Sequence, residues 1–384
     1  MKYLCLLIAI FAKTSHALDE IVTKQIFKMP QYTTLGGQTI SDVKIGFETY
    51  GQLNADKSNV ILITHYFSGN SHAAGKYAAT DLAPGYWNQI IGPGLALDTS
   101  KYFIISSDTL VNINPKDPKV VTTGPLSINP KTKKTYGSDF PVVSYGDLVR
   151  VQKALLESLG ITKLHAVAGP SAGSMQALQW AADYPQAVGK VIAVISPGLS
   201  MPALSVAVLN SWAKPILRDP KWKRGKYSKG HEPTNGLVDA LQAVTVSAVD
   251  FSWADKNFGQ KPADPLKMPL TNINHKYLIE AKLEEGAQLR AKNADANSFL
   301  YMVRLNQGFN IEDKISSRTP PVLFISVKTD LLFPPELVDV AAQKIKAVGG
   351  KATVVKIEGI GGHLAGLTDI QKASDQITDF LNKK

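Results

Sequence analysis

The 384-residue chain has a single cysteine, Cys5, near its beginning. The rest therefore has no disulfide framework, thiol nucleophile or thiolate metal site. Long hydrophobic runs are missing as well. The apolar stretch from Tyr3 to Ala12 is cut by Lys13, well short of the ~20 residues a spanning helix needs, so no stable membrane anchor is expected. There is no internal repeat and no low-complexity tract. Acid is the scarcer charge, with 32 Asp and Glu against 42 Lys and Arg and a net charge of +10. The excess is scattered: its densest patch is Lys221, Lys223, Arg224 and Lys226, and no nucleic-acid-binding signature accompanies it. A solvated surface is expected, with no nucleic-acid partner. His65 and His72 lie close in sequence but lack a third ligand at zincin-like spacing. They are read as structural histidines near the pocket, with no metal and no cofactor implied.

What is present begins at the N-terminus. Lys2, the apolar run and Ser15-His16-Ala17 form the charged, hydrophobic and small-residue regions of a secretory signal. Residues 1–17 are expected to be a signal peptide cleaved after Ala17, which implies a periplasmic or secreted protein. With 44% hydrophobic residues, the remaining chain can bury a large core.

From Val43 onwards, β-branched runs alternate with amphipathic stretches, the pattern of a mostly parallel sheet flanked by helices. Strands are predicted at Val43–Tyr50, Val60–His65, Tyr102–Ser107, Leu164–Ala168, Val191–Ile195, Val322–Val327 and Thr353–Ile357. A helix is predicted over Gly146–Leu159, where Leu148, Val149, Val151, Leu155 and Leu159 recur at helical spacing. Between Leu199 and Thr319 this rhythm stops. About 120 residues is too long for a simple connection, so residues 199–319 are read as an inserted helical cap on a core of residues 18–198 and 320–384.

The chemistry centres on Gly169-Pro170-Ser171-Ala172-Gly173, which follows the apolar strand and precedes a helix-forming run. That is the nucleophile elbow of the α/β-hydrolase fold in its strand–turn–helix setting. A serine hydroxyl needs a histidine base held by a carboxylate, and in this fold the chain order is serine, acid, histidine. His231 and His275 fall in the cap. His363 follows the strand ending at Ile357, and Asp330 follows the one ending at Val327, where α/β sheets place catalytic side chains. For the oxyanion hole, Ala172 supplies one backbone N–H and the loop His65-Tyr66-Phe67-Ser68-Gly69 the other, with Phe67 as the donor.

Several longer segments then resemble one branch of the fold, the homoserine O-acetyltransferases. They are Gly46-Phe47-Glu48-Thr49-Tyr50-Gly51, Asn70-Ser71-His72-Ala73-Ala74-Gly75, Ile91-Gly92-Pro93-Gly94-Leu95-Ala96-Leu97-Asp98-Thr99, Thr123-Gly124-Pro125-Leu126-Ser127-Ile128-Asn129-Pro130 and Asp330-Leu331-Leu332-Phe333-Pro334-Pro335. The resemblance spans nearly the whole chain after residue 17. It implies acetyl transfer from acetyl-CoA through the serine to the homoserine hydroxyl. The departures fall on substrate recognition. Where the family carries an amine-binding aspartate directly after the histidine, this chain has Leu364. The family's carboxylate-gripping arginine aligns with Ala213, beside which Lys214 and Arg218 are the nearby cations. Leu364 and Lys214 are accordingly placed in the substrate pocket. The expected function is ester hydrolysis through a Ser171 acyl-enzyme. The alternative is O-acyl transfer from acetyl-CoA or another donor, and a non-catalytic binding protein is a third reading. The expected partner is a small-molecule ester or acyl donor; a homodimer is left open by the sequence.

Overall fold

The structure, a computed structural model, describes residues 21–383, and the expected signal peptide lies outside them. The main sheet has eight strands: β1 (Gln25–Thr33), β2 (Thr39–Tyr50), β3 (Val60–Thr64), β4 (Phe103–Ser107), β5 (Ala166–Pro170), β6 (Val191–Val194), β7 (Val322–Val327) and β8 (Ala352–Ile357). Their spatial order is β1-β2-β4-β3-β5-β6-β7-β8. β2 pairs antiparallel with both β1 and β4, and all other pairings are parallel.

The central strands are continuous apolar runs because helices cover both faces. All five residues of β3 are buried, and side chains alternate between two cores. Val60 and Leu62 join the core beneath α1 (Tyr145–Ser158) and α2 (Ala172–Asp183), whereas Ile61 and Ile63 join Trp87 and Ile377 on the opposite face. α1 is started by a capping box between Ser144 and Asp147. Asp147 also accepts from the Tyr32 hydroxyl and the Leu35 N–H, both at 2.7 Å, which ties the β1–β2 hairpin to this helix.

β1 is absent from the sequence-based prediction. It is an edge strand in which only Tyr32 is buried, and its register skips Pro30. An edge tolerates such a proline, but the pattern then resembles a loop.

After β6 the chain leaves the sheet until β7. The intervening helices are α3 (Ala203–Arg218), α4 (Thr234–Ala248), α5 (Phe251–Asn257), α6 (Leu278–Ala291) and α7 (Ala296–Gln307). α3 packs on α4 and α7, and α4 packs on α6. The α3–α4 crossing is close, since a Cβ on Gly236 would stand 2.6 Å from the Pro215 carbonyl oxygen. The chain closes with α8 (Pro335–Ala347), α9 (Ala365–Thr368) and α10 (Ser374–Asn382). Among the described residues no helix is long and apolar enough to cross a membrane.

Candidate active site

Ser171 sits between the end of β5 and the first residue of α2, with φ 55° and ψ −118°. This is a sparsely populated conformation for a residue with a side chain, costing about 1–3 kcal/mol. The surroundings hold it there. The Ser171 N–H donates to the Val194 carbonyl at 2.8 Å, and its own carbonyl accepts from the Ser174 hydroxyl at 2.6 Å. The flanking glycines are required by close approach to β3: a Cβ on Gly169 would lie 2.2 Å from Thr64 Oγ1, and one on Gly173 would lie 2.1 Å from the Thr64 carbonyl oxygen. Thr64 Oγ1 in turn donates to the Gly173 carbonyl at 2.8 Å.

His363 and Asp330 arrive from the loops after β8 and β7 and are both buried. His363 Nε2 is 2.8 Å from Ser171 Oγ, and His363 Nδ1 is 2.7 Å from Asp330 Oδ2. The other carboxylate oxygen accepts the Leu332 and Phe333 N–H groups, each at 2.9 Å. The Phe333 ring packs edge-on against the imidazole, with centroids 5.2 Å apart. Thr329 Oγ1 donates to the Gly359 carbonyl at 2.6 Å, joining the acid loop to the histidine loop. With Nδ1–H directed at Asp330, Nε2 is the acceptor for the serine proton. The three side chains can therefore generate a nucleophile on Ser171.

Two backbone N–H groups, those of Ala172 and Phe67, are the expected oxyanion donors. Ala172 is the first residue of α2, where N–H groups lack intrahelical partners and the helix dipole is positive. The Phe67 N–H has no protein acceptor among the described residues. The Phe67 ring meets residues of the segment between β6 and β7, at 5.7 Å from Trp212 of α3 and 5.4 Å from Phe299 of α7. Aromatic side chains from α3 and α7 thus pack directly on the loop that follows β3.

The expected pocket residues separate. Leu364 is half-buried immediately after His363, in the turn leading to α9. Lys214 requires a correction: it and Arg218 are exposed, whereas Trp212 and Ala213 on the same helix are buried. Each residue turns about 100° around a helix, and the step from Ala213 to Lys214 crosses from the buried face to the exposed one, so the cation next to Ala213 does not take over an inward-facing arginine's place.

Sequence reasoning missed a charged cluster behind the Phe67 loop. Glu48, fully buried in β2, accepts from the Tyr77 hydroxyl at 2.6 Å, the Tyr50 hydroxyl at 2.9 Å, the Ser71 hydroxyl at 3.2 Å and His72 Nδ1 at 3.0 Å. Lys24 Nζ lies 3.2 Å from Glu48 and 3.5 Å from Asp108 and donates to Ser71 Oγ at 2.6 Å. Asp108 accepts the Ser71 N–H at 2.8 Å. Burial raises the Glu48 pKa, but the His72 hydrogen bond, the Lys24 charge and the Tyr77 hydroxyl outweigh it and leave the carboxyl below its ordinary value. Burial dominates at Asp108, which is pushed up despite Lys24. The available signal was Glu48, a carboxylate between Phe47 and Thr49 in a strand with a buried face. His65 and His72 belong to no group of three metal-ligating side chains among the described residues.

Comparison with known proteins agrees with this architecture. Residues 122–369 match the alpha/beta hydrolase fold family. Homoserine O-acetyltransferases are similar over most of the chain: that of Geobacter sulfurreducens is 34% identical, covering 90% of this chain and 93% of its own, and that of Moorella thermoacetica is 35% identical, covering 94% and 97%. Among solved structures, esterase E22 superposes with a TM-score of 0.90 at 48% identity, covering 94% of this chain and 100% of that one. Homoserine O-acetyltransferase from Bacillus anthracis superposes with a TM-score of 0.90 at 38% identity, covering 95% and 99%. The chain therefore belongs to the alpha/beta hydrolase fold family, in its homoserine O-acetyltransferase-like branch, and is an enzyme of the acyltransferase and esterase type.

Proposed function

We propose that this enzyme is a carboxylic ester hydrolase acting outside the cytoplasm through an acyl-enzyme on Ser171. Ser171 Oγ attacks the ester carbonyl as its proton passes to His363 Nε2, with Asp330 holding the ring in the required tautomer. The Phe67 and Ala172 N–H groups receive the developing oxyanion. Collapse expels the alcohol, which takes the proton from His363. Water then gives a proton to the same nitrogen and attacks the acyl carbon; collapse breaks the acyl–Oγ bond, Ser171 Oγ takes the proton back from His363, and the acid leaves.

The observation that carries hydrolysis over transfer to an amino-acid alcohol is Leu364, half-buried beside the histidine. An ammonium group held there loses hydration and gains no counter-charge. Lys214 and Arg218 face solvent and offer the acceptor's carboxylate nothing in the pocket. The Phe67, Trp212 and Phe299 rings favour an apolar group on the substrate. The names of the curated relatives favour a second reading, O-acyl transfer from acetyl-CoA or another donor.

The deciding experiment compares wild type with Leu364→Asp for acetyl transfer from acetyl-CoA to homoserine and for hydrolysis of neutral p-nitrophenyl esters. Hydrolysis should dominate in the wild type, and the aspartate should raise homoserine acetylation relative to it. Wild-type homoserine acetylation matching or exceeding ester hydrolysis would establish transfer instead. Export rests on the Lys2-to-Ala17 pattern: N-terminal sequencing of extracytoplasmic protein should begin at Leu18, and full-length chain confined to the cytosol would overturn it.

A further inference from the structure

One buried histidine has a task outside the Ser171–His363–Asp330 relay. His65 follows the end of β3 and is wholly buried. Its Nδ1 lies 2.8 Å from the Tyr66 carbonyl oxygen, which also accepts the Gly69 N–H at 3.0 Å. That carbonyl belongs to the peptide unit whose N–H is Phe67's. The unit is trans and planar, so its C=O and N–H point in opposite directions, and fixing one aims the other. A carbonyl can only accept, so Nδ1 must carry the proton in this contact. Nε2 faces Thr109 Oγ1 at 3.3 Å. Burial pushes the imidazole pKa down, consistent with a neutral ring.

The neighbouring peptides are held as well. Asn114 Nδ2 donates to the Ser68 carbonyl at 3.0 Å, Asn112 Nδ2 to the Gly69 carbonyl at 2.8 Å, and Gln176 Nε2 to the His65 carbonyl at 3.1 Å. Gly69 is confined by the Tyr66 ring, since a Cβ there would meet it at 2.8 Å.

We infer that His65 is a positioning residue of the oxyanion hole, its Nδ1–H holding the Tyr66 carbonyl so that the Phe67 N–H points at the charge developing on the substrate. The inference rests on the proposed oxyanion role of Phe67 and Ala172. Losing the anchor misdirects a donor without removing it, so the effect should fall below the ~10²–10³-fold cost of deleting one.

The test compares His65→Asn, whose Nδ2–H can replace Nδ1–H, with His65→Gln, whose amide nitrogen corresponds to Nε2. Rates on p-nitrophenyl acetate are normalised to sites titrated with a fluorophosphonate. His65→Gln should lose about 10- to 100-fold in kcat with KM nearly unchanged and lose affinity for an alkylboronic acid by a similar factor, whereas His65→Asn should stay within about fivefold of wild type. Equal kcat in the two variants, or losses confined to KM, would overturn the inference. Should neither variant give titratable sites, ¹⁵N NMR of the wild type decides: a neutral ring protonated on Nδ1 supports the inference, and one protonated on Nε2 overturns it. Failure of the acyl-enzyme reading looks different, because Ser171 would then not be labelled by the fluorophosphonate in the wild type.

Discussion

Among the described residues lie two histidine–carboxylate pairs, built alike and surrounded differently. His363 Nδ1 meets Asp330 at 2.7 Å, and His72 Nδ1 meets Glu48 at 3.0 Å. At the first pair the outer nitrogen finds the hydroxyl of Ser171, and the remaining carboxylate oxygen is taken up by two backbone N–H groups. At the second, the carboxylate is shared among Lys24, Tyr50, Ser71 and Tyr77, and the His72 ring stacks on Tyr77 at 4.1 Å. A histidine–carboxylate pair therefore does not by itself make a base. It can act as one where its far nitrogen faces a group able to give up a proton, and it serves as a brace where the carboxylate is saturated by fixed donors.

The largest expected effect lies at the first pair. Ser171→Ala should lower kcat on p-nitrophenyl esters by on the order of 10⁴-fold or more while thermal unfolding stays near wild type, because the relay acts as a unit. Retention of more than about a tenth of the rate on every ester would remove the nucleophile assignment. Asp330→Asn should approach the same loss by favouring the wrong histidine tautomer, on the order of 10⁴-fold.

The second pair should respond in the opposite currency. His72→Ala should cost less than about tenfold in kcat, and Glu48→Gln should lower stability in urea by about 3 kcal/mol, because it leaves Lys24 with a weaker counter-charge in a buried setting. Loss of activity by His72→Ala as large as that of Asp330→Asn, at unchanged stability, would erase the distinction between base and brace.

The smallest effect concerns pH. Burial holds the folded pKa of His65 below its ordinary value. Below about pH 6.5 the unfolded chain binds a proton that the folded chain does not, so stability falls as pH falls through that range. The wild-type thermal midpoint should drop more between pH 7.5 and 5.5 than that of His65→Asn, by a difference equivalent to about 1 kcal/mol or less. His165, also shifted down by burial, is present in both proteins and cancels. A larger drop in the variant would contradict the sign.

Much of this site was legible in the chain because its signals are local. The elbow pentapeptide, the strand before it and the helix after it are contiguous, and chain order plus position after β7 and β8 singled out Asp330 and His363. The apolar runs of β3 to β7 were equally readable, because a strand buried on both faces has little choice of side chain. The edge strand β1 was not, since only one of its residues must be apolar. Lys214 was misplaced because a one-residue step along a helix is small in sequence and about 100° in space.

The sequence by itself determined the fold class, the elbow and the choice of Ser171, Asp330 and His363 as the three side chains to look for together, since each is written as a pattern within a few residues or as an order along the chain. Only the tertiary structure decided which histidine–carboxylate pair faces a hydroxyl, that Lys24, Glu48 and Asp108 meet behind the Phe67 loop, and that the His65 ring turns toward the Tyr66 carbonyl. Those are relations between segments far apart in sequence. They depend on the direction of hydrogen bonds and on burial, and neither exists until the sheet has brought the segments together.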